Sequence, residues 1–237
     1  MSGHSKWSTI KHTKGLKDAA RSSQFTKLAR EITMAAKLGD PHPENNARLR
    51  LAVLNARKAS MPNDNIKRAI DKSQSAGGEN YDYVRYEGYG PGAVPVIVEA
   101  MTDNPRRTAP EIKNLFAKNG GNLGEMGSVV FMFSQKGVIY YPLSVAKNAD
   151  EMTEIVLAAD ADDLETTDEG YIVYTKPETF PAIQKILSDK LGEPEKAGLE
   201  WIANNGVDLS DDDSAKLEKL IDALDANDDV QNVFTAA

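Results

Sequence analysis

No cysteine occurs among the 237 residues. That single absence removes disulfides, thiolate zinc sites, iron–sulfur clusters and cysteine nucleophiles together. Histidine is scarce: His4, His12 and His42 all lie near the N-terminus, far in sequence from the acidic clusters. Neither a Gly-x-Ser-x-Gly elbow nor a His-Glu-x-x-His pair is present. The chain lacks any Gly-Lys dipeptide for a Walker loop, and Gly88-Tyr89-Gly90-Pro91-Gly92 has Ala93 where a third glycine is wanted, so it reads as a strand connection. Asp225 to Asp229 lacks the glycine and distal glutamate of a calcium loop. These gaps predict a protein that is not an enzyme and carries no metal and no cofactor. Long apolar runs are missing as well. The longest β-like run, Val129 to Phe133, falls far short of the roughly 18 residues of a membrane span. The N-terminus shows no apolar segment of a secretory signal. A cytoplasmic location without a membrane partner is the expectation.

What is present is a 41% apolar content, enough for a buried core, and a formal charge of -8 that is unevenly spread. Residues 1–75 hold 15 Lys+Arg against 6 Asp+Glu, hence +9, and the remaining 162 residues hold 13 against 30, hence -17. Only the basic part can approach a polyanion favourably.

Within that part, residues 1–21 form a basic arm with Lys6, Lys11, Lys14, Lys17 and Arg21 against one acid, Asp18. Phe25, Leu28, Ala29, Ile32, Ala35 and Ala36 then make the apolar stripe of a helix, which Gly39 is expected to stop in a left-handed conformation. A second helix spans Asn46 to about Ala59, with Ala47, Leu51, Leu54 and the Lys58 methylenes as its buried face. After Met61-Pro62-Asn63-Asp64 a third helix carries Ile66, Ala69 and Ile70 and ends at Gly77-Gly78. Short turns between them predict a small bundle.

Beyond this the apolar period changes from 3.6 to 2. Strands are expected at Tyr81 to Tyr86 and Val94 to Ala100, and Thr108 with Glu111 reads as a capping box opening a helix closed by Gly120-Gly121. Ser128 to Phe133 and Val138 to Tyr141 read as two strands around Gln135-Lys136-Gly137. Helix 150–159, strands 164–167 and 171–175, helix 178–191 and strand 198–203 follow. A helix holding Leu217, Leu220, Ile221 and Leu224 and a strand from Val230 to Phe234 complete the chain. Residues 138–203 thus give β-α-β-β-α-β, a split-βαβ unit. The elements left over on either side suffice for a second such unit. The predicted class is α+β, an N-terminal three-helix bundle plus two ferredoxin-like α+β domains, one inserted in the other. The boundaries are 1–78 for the arm and bundle, 79–133 with 205–237 for a discontinuous domain, and 134–204 for the insertion.

Several ordered motifs resemble one family. Gly3-His4-Ser5-Lys6-Trp7, Ile10-Lys11-His12, Phe25-Thr26-Lys27-Leu28, Arg30-Glu31-Ile32 and Asn46-Ala47-Arg48-Leu49-Arg50 are similar to the start of the YebC family. So are Met61-Pro62-Asn63-Asp64-Asn65-Ile66, Tyr86-Glu87-Gly88-Tyr89-Gly90-Pro91 and Gly127-Ser128-Val129. One departure is Asn104-Pro105-Arg106-Arg107-Thr108, where the family usually has Asn-Arg-Asn-Arg-Thr. The resemblance implies a helical N-terminal domain, two ferredoxin-like domains and a cytoplasmic gene-expression factor. Its members are described either as DNA-binding transcriptional regulators or as translation factors acting on the ribosome.

Chemistry supplies the candidate interface. Lysines of the arm neutralise phosphates and release counterions, and the Trp7 indole can stack on an unpaired base. The nucleic-acid-binding set is His4, Lys6, Trp7, Lys11, His12, Lys14, Lys17 and Arg21 of the arm. Arg48, Arg50, Arg57, Lys67 and Arg68 of the second and third helices join it, as do Arg106 and Arg107 at a strand–helix junction. The expected partner is nucleic acid, DNA or RNA, with a DNA-binding regulator first, a ribosome- or RNA-bound translation factor second, and a small-molecule sensor as a third class. Residues 148–175 hold nine acids and no base. They read as a solvated face or as a docking surface for a basic protein.

Overall fold

The computed structural model describes residues 18–75 and 80–237. Helix α1 (Asp18–Leu38) runs into α2 (Ala47–Lys58) and α3 (Asn63–Ser73) through short turns. Ile32, Ala35 and Ala36 of α1 bury against Leu49, Ala52, Val53 and Ala56 of α2 and Met61, Ile66 and Ala69 around α3. Each larger apolar side chain so buried contributes about 1.5–3 kcal/mol. Asn46 ties the first turn together. Its Oδ1 accepts from Leu49 N at 3.0 Å, capping α2, while its Nδ2 donates to the carbonyls of Ala35 and Asp40, both at 2.8 Å, closing the end of α1. Gly39 is not left-handed, contrary to expectation. It is required because a Cβ there would lie 2.7 Å from Asn46 Nδ2.

The expected face of α2 is also corrected. Ala47 and Lys58 are exposed, and the bundle instead buries Leu49, Ala52, Val53 and Ala56. The reason is that α2 is packed from two sides. Leu51 packs into the core of the second sheet, and Asn55 Nδ2 donates to Ala197 O at 3.2 Å.

The sheets are built from β1 (Asp82–Tyr89), β2 (Pro95–Thr102), α4 (Pro105–Lys118), β3 (Asn122–Leu123) and β4 (Phe133–Pro142). There follow α5 (Ala149–Ala158), β5 (Asp163–Thr166), β6 (Gly170–Thr175), α6 (Phe180–Leu191), β7 (Lys196–Ala203), α7 (Asp211–Asp225) and β8 (Val230–Thr235). One antiparallel sheet has the order β3-β1-β2-β8 and the other β5-β6-β4-β7. The second is the ferredoxin-like order produced by β-α-β-β-α-β connectivity. The first has the same arrangement in space but begins with a hairpin, β1 and β2 pairing from Asp82↔Thr102 to Tyr89↔Pro95. Strand β8 pairs with β2, and Leu217, Leu220 and Leu224 of α7 join Ile112 and Phe116 of α4 in one core with Val96, Val98 and Val230. Ile139, Tyr141, Met152, Val173, Ile183 and Leu187 form the core of the second sheet.

Three local expectations fail for physical reasons. The Gln135-Lys136-Gly137 segment is not a turn: β4 passes straight through it, pairing with β6 and β7, and a 3-10 turn over Val130–Met132 precedes it. Gly137 there serves close packing, since a Cβ would meet Phe180 side-chain atoms at 2.5 Å. Helix α4 opens at Pro105 rather than at Thr108, with Asn104 Oδ1 accepting from Arg107 N at 3.2 Å and proline at the first helical position. Thr108 is therefore a buried helix residue and no cap. The two-residue strand β3 is too short to leave a period, so sequence reading misses it. The expected stop at Gly77-Gly78 lies outside the described residues.

Candidate nucleic-acid interface

Helix α1 turns its polar face toward the Asp225–Asp229 turn between α7 and β8. Ser23 Oγ donates to Asp228 Oδ1 at 2.7 Å and Lys27 Nζ to Asp225 O at 2.6 Å. Burial lowers the Lys27 pKa, with Asp225 and Asp228 acting against that shift. Arg30 Nη1 donates to Asp229 Oδ1 at 2.8 Å, Asp228 O at 2.6 Å and Met101 O at 3.1 Å, and its guanidinium lies 5.1 Å from the Tyr81 ring centroid.

Asp229 is the hub of this junction. Its Oδ2 lies 2.9 Å from Arg107 Nη2, 2.7 Å from Thr108 Oγ1 and 3.1 Å from Thr102 Oγ1. Burial alone would raise its pKa. Hydrogen bonds from Thr108, Arg107, Arg30 and Thr102 outweigh that and hold it below the ordinary aspartate value. Nothing in the primary structure marks Asp229 among neighbouring acids, because the Arg30 partner lies 199 residues away.

A second buried carboxylate orders the loop before β4. Glu87 has a fully buried side chain, accepting from Val129 N at 3.0 Å and Val130 N at 2.9 Å, with Arg85 Nε at 3.0 Å. Burial pushes its pKa up, but the amides of Val129, Gly127 and Val130, with Arg85 beside them, bring it below the ordinary glutamate value. The family-like motifs Tyr86-Glu87-Gly88 and Gly127-Ser128-Val129 thus meet through this side chain.

The candidate binding residues divide by how their charge is used. Arg48 pairs with Glu31 through Nε at 2.9 Å and Nη2 at 3.3 Å and stacks 4.8 Å from the Tyr83 ring, whose hydroxyl also reaches Glu31. Arg50 reaches the carbonyls of Pro43 and Glu44 at 3.3 and 3.4 Å. Arg107 bridges Asp103 and Asp229. These three hold the fold's own acceptors. Arg57, Lys67 and Arg106 are exposed and have no ion-pair partner among the described residues. Arg68 is exposed and donates locally to Asp64 O and Asn65 Oδ1. On α3, Lys67 and Arg68 share a shallow cleft with Asp64 and Asp71. His4, Lys6, Trp7, Lys11, His12, Lys14, Lys17 and the Arg21 side chain lie outside the described residues.

Among the described residues no three His, Cys, Asp or Glu side chains are grouped to hold a metal ion, and no helix is long and apolar enough to cross a membrane. Residues 5–76 match the family model for the TACO1/YebC protein N-terminal domain. Residues 81–237 match a transcription-regulator model described as the TACO1/YebC second and third domain. The chain belongs to the TACO1/YebC family. A crystal structure of a conserved hypothetical protein from Aquifex aeolicus is similar to it at 41% identity, covering 94% of this chain and 93% of that one with a TM-score of 0.84. TACO1/YebC membership agrees with the motifs quoted between residues 3 and 129 and with the α+β architecture. It places the chain in a regulator-type family.

Proposed function

We propose that this TACO1/YebC protein is a non-enzymatic regulator of gene expression that binds nucleic acid through its basic arm. Lys6, Lys11, Lys14, Lys17 and Arg21 contact phosphate, Trp7 stacks on an unpaired base, and Arg57, Lys67, Arg68 and Arg106 extend the contact. The observation that carries the reading is the separation of charge: +9 in residues 1–75 against -17 in the rest. Phosphate contacts position the protein without reading sequence. The regulator-type character of the family supports a reading in which DNA comes first among the targets. The same charge division favours a second reading, a ribosome-bound translation factor, because an acidic body beside a basic arm suits a mixed RNA–protein surface.

Crosslinking in cells followed by sequencing of the bound nucleic acid separates the two. Chromosomal DNA in the crosslinks supports the first, and ribosomal RNA with nuclease-sensitive co-sedimentation supports the second. Replacing Lys6, Lys11, Lys14 and Lys17 by Glu is expected to abolish association in either case while the circular dichroism spectrum stays native. Trp7→Ala should weaken single-strand binding by about 1–3 kcal/mol with little change in salt dependence. Wild-type affinity in the quadruple variant at low salt would show that the arm is not the anchor.

A further inference from the structure

In the acidic part of the chain, three of its few bases line one cleft. Lys118 ends α4, and Lys216 and Lys219 stand three residues apart on α7, the helix beside it on the same sheet. Together with Asn119 and Gly120 they line an open cleft of about 220 Å³. No carboxylate belongs to the lining. Asp212, one turn before Lys216, pairs with that lysine at 2.5 Å, and Lys118 and Lys219 have no ion-pair partner among the described residues.

Two simpler roles can be weighed. Lys118 lies in the last turn of α4, where a cation complements the helix dipole. Lys216 and Lys219 lie in the body of α7, away from either end, so the dipole does not account for them. General solubility does not account for them either, since the surrounding 162 residues already carry -17 and three converging lysines lower the magnitude of that charge locally. Lys216 is paired with Asp212, with Asp213 close enough to act on it, which leaves Lys118 and Lys219 as the cleft's ammonium groups without an ion-pair partner among the described residues. Lysine offers a point charge without a planar fork, which suits a phosphate contacted without geometric selection.

We propose that Lys118, Lys216 and Lys219 form a second phosphate-binding site, which holds the backbone of the nucleic acid engaged by the arm. The inference rests on the proposed nucleic-acid binding. It assigns the acidic body a direct contact with the polyanion, through three lysines of the α4–α7 pair.

The test is the salt dependence of binding, measured on the full chain with a duplex and a single-stranded oligonucleotide. The variant Lys118→Gln/Lys216→Gln/Lys219→Gln is compared with Lys147→Gln/Lys185→Gln/Lys190→Gln, which removes the same charge elsewhere. The first triple is expected to lower the log–log slope by about 0.9 per lost contact on duplex and about 0.7 on single strand, with the control triple unchanged. Both should melt like wild type, because all six side chains are exposed. An unchanged slope in the first triple, while wild type binds, overturns this site and leaves the arm reading intact. Equal losses in both triples also overturn it, since net charge alone then explains the effect. If wild type binds neither oligonucleotide, the underlying reading fails and this inference falls with it.

Discussion

Replacing Asp229 by Asn keeps its shape and removes the charge that joins the helical bundle to the first sheet. The Arg30–Asp229 pair has side-chain exposures of 16% and 6%, so it sits largely out of water. Removing one partner of such a pair costs about 3–5 kcal/mol, because the other charge is left buried and uncompensated. Arg30 retains the carbonyls of Asp228 and Met101, which puts the loss at the lower end. Arg107 is 45% exposed and adds only about 0–1 kcal/mol. A total near 3 kcal/mol corresponds to a fall in Tm of about 6–12 °C for a chain of this size. Thermal denaturation of wild type, Asp229→Asn, Arg30→Met and the double variant measures it. The double variant should lose less than the two single losses added, since the second change removes the stranded charge. The sign with pH follows from the depressed pKa of Asp229. Its stabilisation is fully present above the unfolded aspartate value of about 3.9 and is lost as pH falls through the lower folded value, so the gap between wild type and Asp229→Asn closes in acid. A loss below about 1 kcal/mol at neutral pH, within the range of ordinary surface changes and small defects, would refute the reasoning.

Glu87→Gln should cost about 1.5–3 kcal/mol through weakened bonds to Val129 and Val130 and expose residues 124–130 to limited proteolysis; an unchanged cleavage pattern would show that the carboxylate does not order the loop. Its contribution has the same pH sense as that of Asp229, present above the ordinary glutamate value and lost as pH falls through the depressed folded one. Asn46→Ala removes the cap of α2 and the amide donor to the Ala35 and Asp40 carbonyls at the end of α1, and a loss of about 2 kcal/mol is expected from urea denaturation. Gly39→Ala should be destabilising in the wild type and nearly neutral beside Asn46→Ala, because the clash is with the Asn46 amide.

Periodicity made the long elements legible. The 3.6 stripe in α1, the buried runs of β2 and β6, and the element order from β4 to β7 all follow from it. It misled where one element has two neighbours, as in α2, whose Leu51 serves a different core from Leu49. Local motifs misled where a better one stood nearby. Asn104-Pro105 takes the helix start that Thr108 and Glu111 offered, which frees Thr108 to reach Asp229. The candidate site was legible as charge but not as pairing. Arg48 and Arg107 look like phosphate ligands, yet Arg48 pairs with a carboxylate 17 residues away, and Arg107 pairs with Asp103 one turn before it and with Asp229, 122 residues away. Arg30 and Glu87, with the most consequential contacts, occur in family-like motifs without any local feature that tells their role.

On the proposed function, the opposed charges of the two parts serve two purposes that differ in their response to salt. Arg30, Lys27 and Ser23 dock α1 on the Asp225–Asp229 turn, and the central pair of that junction is shielded from solvent. Screening acts on exposed charges over a distance of about 8–10 Å at moderate ionic strength and reaches buried pairs far less. The exposed cations Arg57, Lys67 and Arg106 belong to the first class. Phosphate contacts made by such groups weaken steeply with salt because counterions compete for the same sites. Internal docking already uses Lys27 and Arg30, so the exposed cations are the ones a polyanion can compete for. Rising salt should therefore release nucleic acid well before it loosens the bundle from the first sheet. A titration that follows oligonucleotide anisotropy and intrinsic fluorescence together should show the first transition complete while the second signal is still native. Coincident transitions would mean that binding and docking draw on the same side chains, and that Arg30 rather than the arm is the point where the polyanion acts.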